Sequence, residues 1–153
     1  MRWICALIVG LALPLAAQGE TLPDGGVTGP EVASVLRHAG YPSDPINDRA
    51  GTPVIHSSTG KVLFNVNFYQ CNAELRCASI QFIAEYRHKG VAPAVIAAWN
   101  REKHFGRAWQ DRYGNSWVAM DVETSHGMTT EALAANISRW ITVLNGFGAF
   151  LNE

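Results

Sequence analysis

The chain has 153 residues, with 12 basic and 13 acidic side chains and a formal net charge of −1 at pH 7. This balance argues against a nucleic-acid-binding protein, because binding to phosphates needs a basic surface. The length suits a single domain that buries a sizeable hydrophobic core.

The N-terminus has the three parts of a secretory signal peptide. Arg2 precedes an apolar run over residues 4–13, and small residues follow at 16–19. The run is shorter than the roughly 20 apolar residues that span a membrane, and Gly10 interrupts it. We therefore expect residues 1–19 to be removed on export, with no stable membrane insertion afterwards.

Cleavage after Gly19 places small residues at both positions that a signal peptidase selects, and cleavage after Ala17 is the alternative. Removing the first 19 of the 153 residues leaves 134. The loss of Arg2 leaves 11 basic and 13 acidic side chains, a charge of −2. The sequence therefore predicts a periplasmic protein, or one that is secreted further.

The mature chain begins with residues 20–27, which contain Pro and an Asp-Gly step and show no hydrophobic periodicity, so they predict a flexible lead-in. The folded domain is expected to span residues 28–153. Thr28 and Glu31 fit a capping box and predict a short helix that ends at Gly40.

The hydrophobic period changes to two between residues 53 and 86, which predicts a β-hairpin with a weaker strand before it over residues 53–58. The apolar positions are Val62, Phe64, Val66 and Phe68 in one strand, and Ala78, Ile80, Phe82, Ala84 and Tyr86 in the next. Polar residues alternate with them, so one sheet face should be buried and the other more polar.

In the second half of the chain, Pro93 suits the first turn of a second helix that Gly106 ends. Residues 107–111 and 116–123 predict a second hairpin, whose register the sequence leaves open. Thr129 caps a long final helix with one apolar stripe. The predicted fold is therefore α+β, an antiparallel sheet of two hairpins with helices packed on one face.

The segment AWNREKHFGRA, residues 98–108, closely resembles the helix-to-strand junction of YbjN-like domains. The segments at residues 68–71, 77–82 and 120–122 are similar to the same family's central hairpin and last strand. The resemblance extends over about residues 28–151. It implies a small α/β sandwich similar to secretion-chaperone folds, with a loosely defined role in sensing, regulation or protein binding. It supplies no catalytic residues.

The basic and aromatic residues of this segment are candidates for contact with a partner: Trp99, Arg101, Lys103, His104 and Arg107. A structural interpretation also explains them, because cations near a helix C-terminus stabilise it by about 0.3–1 kcal/mol each. Trp99 and Phe105 would then enter the core. In the functional interpretation the patch receives an acidic or C-terminal segment of a partner. The sequence leaves both open.

No pattern in the chain indicates a metal site, a cofactor or catalysis. The five histidines are scattered: His38, His56, His88, His104 and His126. They lack the spacing of zinc ligands. Nucleophile-elbow and phosphate-loop motifs are absent from the sequence, and Asp111, Asp121 and Glu123 alternate with core positions on strands. We therefore predict a non-enzyme.

Two cysteines, Cys71 and Cys77, remain once Cys5 leaves with the signal. An even number in an oxidising compartment favours a disulfide, and their spacing fits neither a thioredoxin-like motif nor a zinc site. If they face each other, every apolar residue of the hairpin also faces an apolar partner. The expected pairs are Phe68 with Ile80, Val66 with Phe82, Phe64 with Ala84 and Val62 with Tyr86. The cysteines would then lie on the more polar face.

Together these features favour a non-catalytic periplasmic domain that binds a protein partner, in a chaperone-like or regulatory role. The sequence identifies neither the partner nor the oligomeric state, and a homodimer is one of the options that it leaves open. The alternative is a small-ligand sensor or a small hydrolase. The first hypothesis expects an exposed apolar groove or sheet face, and the second expects a concave pocket where polar groups converge.

Overall fold

The computed structural model describes residues 19–87 and 90–151. All of the predicted export signal except Gly19 therefore lies outside the described residues. Three helices occur in the described part: α1 (Gly29–His38), α2 (Pro93–Glu102) and α3 (Thr130–Phe150). None of them combines the length and the apolar character needed to cross a membrane.

The strands in these residues are β1 (Ser43–Asn47), β2 (Pro53–Ser58), β3 (Leu63–Cys71), β4 (Cys77–Tyr86), β5 (Arg107–Gln110) and β6 (Ser116–Glu123). They form one antiparallel sheet in the order β1-β2-β3-β4-β6-β5. The predicted α+β class is confirmed. The sheet is larger than two hairpins, because β1 and β2 extend it on one side.

Side-chain caps start α1 and α3 where the sequence predicts. The Thr28 hydroxyl accepts from the Glu31 N–H at 3.4 Å, and the Glu31 carboxylate accepts from the Thr28 N–H at 2.8 Å. The Thr129 hydroxyl accepts from the Ala132 N–H at 3.1 Å. These bonds satisfy amide groups that the first turn of a helix leaves unpaired.

The end of α2 differs from the prediction, because the helix stops at Glu102 rather than near Gly106. Gly106 has φ +80° and lies in the connection to β5. A Cβ at this position would be 2.5 Å from Cγ1 of Val143 on α3. Glycine is therefore needed here both for its backbone conformation and for close approach to α3.

The predicted register of the central hairpin is confirmed for the cysteines and for two apolar pairs, Phe68 with Ile80 and Val66 with Phe82. The other two predicted pairs, Phe64 with Ala84 and Val62 with Tyr86, lie outside the ladder, which ends at the pair of Asn65 and Ile83. In the second hairpin, which the sequence left without a register, Arg107 faces Ala119.

The predicted disulfide between Cys71 and Cys77 is present. Cys77 is not on an exposed polar face, however, since it is fully buried. Val27 pairs with it through main-chain hydrogen bonds in both directions, at 2.9 and 3.1 Å. The Thr124 hydroxyl donates to its carbonyl at 2.8 Å. Chain segments from outside the hairpin therefore cover this cysteine.

Residues 20–27, predicted as a flexible lead-in, instead pack against the domain. Leu22 and Val27 are buried, and the Leu22 N–H donates to the carbonyl of Met128 at 2.9 Å. Main-chain hydrogen bonds to distant segments of the same chain hold this segment in place, together with its buried apolar side chains. The expectation failed because both kinds of contact involve residues about 50 to 105 positions away in sequence, which no local pattern reveals.

The helices cover one sheet face and enclose a single hydrophobic core. At its centre the fully buried Trp140 of α3 lies 5.9 Å from Phe64 and 5.7 Å from Phe82, measured between ring centroids. Burial of one such large side chain stabilises the fold by roughly 1.5–3 kcal/mol. Among residues 19–87 and 90–151, no helix packs on the opposite sheet face, and we call it the open face.

Candidate functional site

The first residue of the candidate set, Trp99, belongs to the core. Its side chain is 2% exposed, and its ring meets Phe147 of α3 edge to face at 5.0 Å. The indole Nε1 donates to the Gly106 carbonyl at 2.8 Å. Trp99 therefore cannot contact a partner directly, and the prediction that it does is corrected. Its role is to hold the end of α2 against the start of β5.

Asn100, the next residue of the motif, occupies the free edge of β5. Its Oδ1 accepts from the Ala108 N–H at 2.8 Å, and its Nδ2 donates to the Ala108 carbonyl at 2.9 Å. Ala108 lies opposite Val118 of β6, but its N–H and its carbonyl group point away from β6 and toward α2. One side-chain amide thus replaces a neighbouring strand and satisfies groups that an edge strand leaves free. No local pattern in the sequence indicates this role of Asn100.

The remaining candidates lie on the segment from residue 101 to 107, which we call the cationic loop. Arg101, Lys103, His104 and Arg107 are all exposed. Arg101 pairs with Glu102 at 3.0 Å. Exposed ion pairs contribute only about 0.2–1 kcal/mol, so this one leaves the guanidinium accessible to a competing anion.

The cationic loop also displays an aromatic ring. Phe105, predicted to enter the core, is 54% exposed, and the guanidinium of Arg139 on α3 lies 4.8 Å from its ring centroid. Trp99 and Phe150 already fill the core at this end. The ammonium of Lys103 lies 6.0 Å from the ring centroid of Trp99 and 5.4 Å from that of Phe150. Phe105 is thereby left at the surface among cations.

Arg107 is separated from the other cations because it lies on the open face. Its Nε is 3.4 Å from Oδ2 of Asp121, and its guanidinium lies 5.3 Å from the ring of Trp109. The Asp121 carboxylate also accepts from the Gln81 amide at 2.6 Å, and Gln81 in turn accepts from the Tyr69 hydroxyl at 3.4 Å. A polar network thus crosses β3, β4, β6 and β5.

The other end of the open face holds a cavity of about 540 Å³ that the sequence analysis did not anticipate. We call it the open-face cavity. Its lining includes Leu63 of β3, Ile83 and Glu85 of β4, Trp117 of β6, and the flanking cations Lys61 and Arg87. One feature of the sequence could have indicated the cavity. Leu63 is apolar, whereas Asn65 and Asn67, which lie on the same face of β3, are polar.

A carboxylate behind the cavity holds its aromatic wall. Asp111 accepts from the Trp117 indole N–H at 3.2 Å and from the main-chain N–H groups of Tyr113 and Asn115 at 2.8 and 3.0 Å. Desolvation raises the pKa of Asp111, but these hydrogen bonds outweigh it and bring the pKa below its usual value. Asp111 therefore stays ionised and keeps Trp117 in position.

The described residues do not assemble a recognisable catalytic or metal site. Ser125 Oγ lies 2.6 Å from Nδ1 of His126, but the nearby carboxylate of Glu123 accepts from the serine and not from the histidine. A triad needs the carboxylate to orient the histidine, so this exposed turn lacks the required order. Within residues 19–87 and 90–151, no three His, Cys, Asp or Glu side chains converge as metal ligands.

Comparison with known proteins shows the family of this chain. A family model matches residues 30–153 and carries the description YbjN, "Putative bacterial sensory transduction regulator". The chain belongs to the YbjN family. A search of the curated proteins found no match. The YbjN family, a regulator family by that description alone, is not known as an enzyme family, and the match covers every described helix and strand except the first residue of α1.

Proposed function

We propose that this YbjN domain is a non-catalytic periplasmic regulator that binds a partner protein through the cationic loop. The supporting observation is that exposed cations and an exposed Phe105 lie on a short loop whose two ends are fixed. Trp99 and Asn100 bind the main chain of Gly106 and Ala108, so the loop is held in one conformation. A fixed loop loses less conformational entropy on binding.

The chemistry of the loop favours an acidic or C-terminal segment of the partner. Carboxylates of the partner would displace Glu102 from its weak ion pair with Arg101 and would also contact Lys103 and His104. An apolar side chain of the partner could pack on Phe105. Charge-assisted hydrogen bonds to carboxylates are stronger than neutral ones, and arginine forms them with two parallel contacts. Such binding should weaken as salt concentration rises.

Site-specific crosslinking tests this proposal. A photoreactive residue at position 104 should capture a partner in the periplasm, and the double change Arg101→Ala with Lys103→Ala should reduce the captured product several-fold. Arg112→Ala is the matched control, because Arg112 is an exposed cation on the turn between β5 and β6. Equal capture by the double variant and the wild type would return the loop to a purely structural role.

Periplasmic location rests on the N-terminal sequence and on the disulfide, since disulfides persist in oxidising compartments. Intact-mass analysis of the periplasmic fraction should show a chain that has lost residues 1–19, or 1–17. Thiol labelling of the same material, denatured but not reduced, should find Cys71 and Cys77 unreactive. A full-length chain in the cytoplasm, with two free thiols, would contradict this part of the proposal.

The alternative function, a small-ligand sensor, is favoured by one observation, the open-face cavity. Its volume of about 540 Å³ is within the range of small-ligand sites, which is about 300–1,000 Å³. Nothing in its lining resembles a nucleophile with its base. A sensor is therefore a better alternative than a hydrolase.

A further inference from the structure

We propose that the open-face cavity binds a small amphiphilic carboxylate, a free molecule with an aromatic or branched apolar body and one negative charge. This inference goes beyond partner binding, because none of the residues that line the cavity belongs to the cationic loop. It can hold whether or not the loop binds a protein.

The aromatic wall of the cavity is one face of Trp117. Trp109 on β5 stacks on Trp117 with a centroid distance of 6.1 Å and an interplanar angle of 10°. Trp109 does not line the cavity, which contacts β3 and β4 on the other side of β6. The ring face that Trp109 leaves uncovered is therefore directed at the cavity, and Asp111 fixes its orientation.

The opposite wall is Leu63, which is 78% exposed on an interior strand of the sheet. Glu85 pairs with Trp117 in the register of β4 and β6 and lies between the two walls, and the half-buried Ile83 adjoins it further along β4. Scattered apolar residues are ordinary on protein surfaces, but an exposed leucine facing an indole across a concave gap is an arrangement that an apolar group can fill. Such a group would be in contact with both side walls and with Ile83.

The charges at the cavity favour a single negative group on the ligand. Lys61 forms no ion pair within the described part of the chain. Arg87 pairs with Glu85 at 3.2 Å, and its side chain is 82% exposed. The three charged side chains that line the cavity sum to +1, because Asp111 lies behind Trp117 and outside the lining, and one ligand carboxylate neutralises this charge. We expect the ligand carboxylate to contact Lys61 directly. The ammonium of Lys61 has no carboxylate partner among the described residues, whereas Arg87 would have to give up its ion pair with Glu85.

A matched series of probes tests the inference on the mature protein. The probes are 4-phenylbutyrate, 4-phenylbutanol and 4-phenylbutylamine, which share an apolar body and differ in charge. Binding would be measured by calorimetry and by the fluorescence of the tryptophans. The carboxylate should bind about 2- to 5-fold more tightly than the alcohol, the ratio that one exposed ion pair supplies. The amine should bind most weakly.

Variants locate the site. Leu63→Ser should weaken all three probes while the protein stays folded, because its side chain is exposed. Lys61→Gln should remove the preference for the carboxylate over the alcohol without abolishing binding. Leu75→Ser is the matched control, since Leu75 is 38% exposed at the opposite end of the β3–β4 hairpin, does not line the cavity and should not affect affinity.

Three results would overturn the inference. The first is absence of binding by every probe at millimolar concentration, and the second is tighter binding of the amine, which would make Glu85 the dominant charge. The third comes from a short peptide that ends in phenylalanine. If the peptide with a free C-terminus binds and phenylbutyrate does not, the cavity serves a peptide chain and not a free small molecule.

Discussion

The two faces of the sheet are stabilised by different kinds of contact. On the covered face of β4, Ile80 and Phe82 are fully buried beneath helices. On the open face, Gln81 is 8% exposed although none of the described helices covers it, and its amide bonds to Asp121 and Tyr69 on the neighbouring strands. The covered face is organised by apolar packing and the open face by hydrogen bonds and stacked rings.

This difference indicates where a substitution should act on stability and where it should act on binding. A core side chain that is removed leaves a cavity with lost contacts on every side. An exposed side chain on the open face, such as Leu63, is already in contact with water, so its removal costs little folding free energy. The exposed positions of this face can therefore carry a binding site without weakening the fold.

The largest expected effect comes from breaking the covered face. Trp140→Ala removes the ring between Phe64 and Phe82 and should lower the free energy of unfolding by about 3–5 kcal/mol. Leu63→Ala on the open face should change it by less than about 0.5 kcal/mol. Urea unfolding followed by circular dichroism measures both. Equal losses would show that the open face is part of the folded core.

The covered face is also the part of the fold that the sequence predicts best. Period-two alternation in β3 and β4 depends on local spacing, and so do the caps at Thr28 and Thr129. β1 was missed because it is short and contains Pro45, which an edge strand tolerates. The open-face cavity was missed because its walls come from β3 and β6, which meet only through β4.

Contacts between distant segments account for the other failures. The guanidinium of Arg76 donates to the carbonyls of Pro23 and Gly26, at 3.3 and 2.6 Å, and forms an ion pair with Glu31. These bonds help to anchor residues 20–27, yet nothing near Arg76 in the sequence indicates them. The resemblance to YbjN domains identified the family correctly, but it did not show which residues of the motif are buried, as Trp99 is, and which are exposed, as Phe105 is.

The edge of the sheet at β5 should show an intermediate effect. Asn100→Ala leaves the N–H and the carbonyl of Ala108 without their partners, and an unsatisfied buried polar group costs about 1–3 kcal/mol. Asn145→Ala changes an exposed asparagine of α3 and serves as the control, with an expected change below about 0.5 kcal/mol. Thermal unfolding compares the two. If Asn100→Ala is no less stable than the control, water replaces the amide without loss.

The smallest expected effect is a pH dependence at the turn that supports the open-face cavity. Hydrogen bonds from Trp117, Asn115 and Tyr113 outweigh desolvation and lower the pKa of Asp111 in the folded state. A carboxyl with a lowered folded pKa contributes stability above its unfolded pKa, which is about 3.9. That contribution is lost as the pH falls through the folded pKa.

Asp111→Asn should therefore flatten the loss of stability between about pH 5 and pH 3, as measured by urea unfolding at a series of pH values. Glu123→Gln is the matched control, because hydrogen bonds from Ser125 lower the pKa of Glu123 at a turn remote from the cavity. Both variants should flatten the acid limb, but only Asp111→Asn should also alter the fluorescence of Trp117 near neutral pH. Indistinguishable spectra would mean that Asp111 stabilises its turn without positioning the indole.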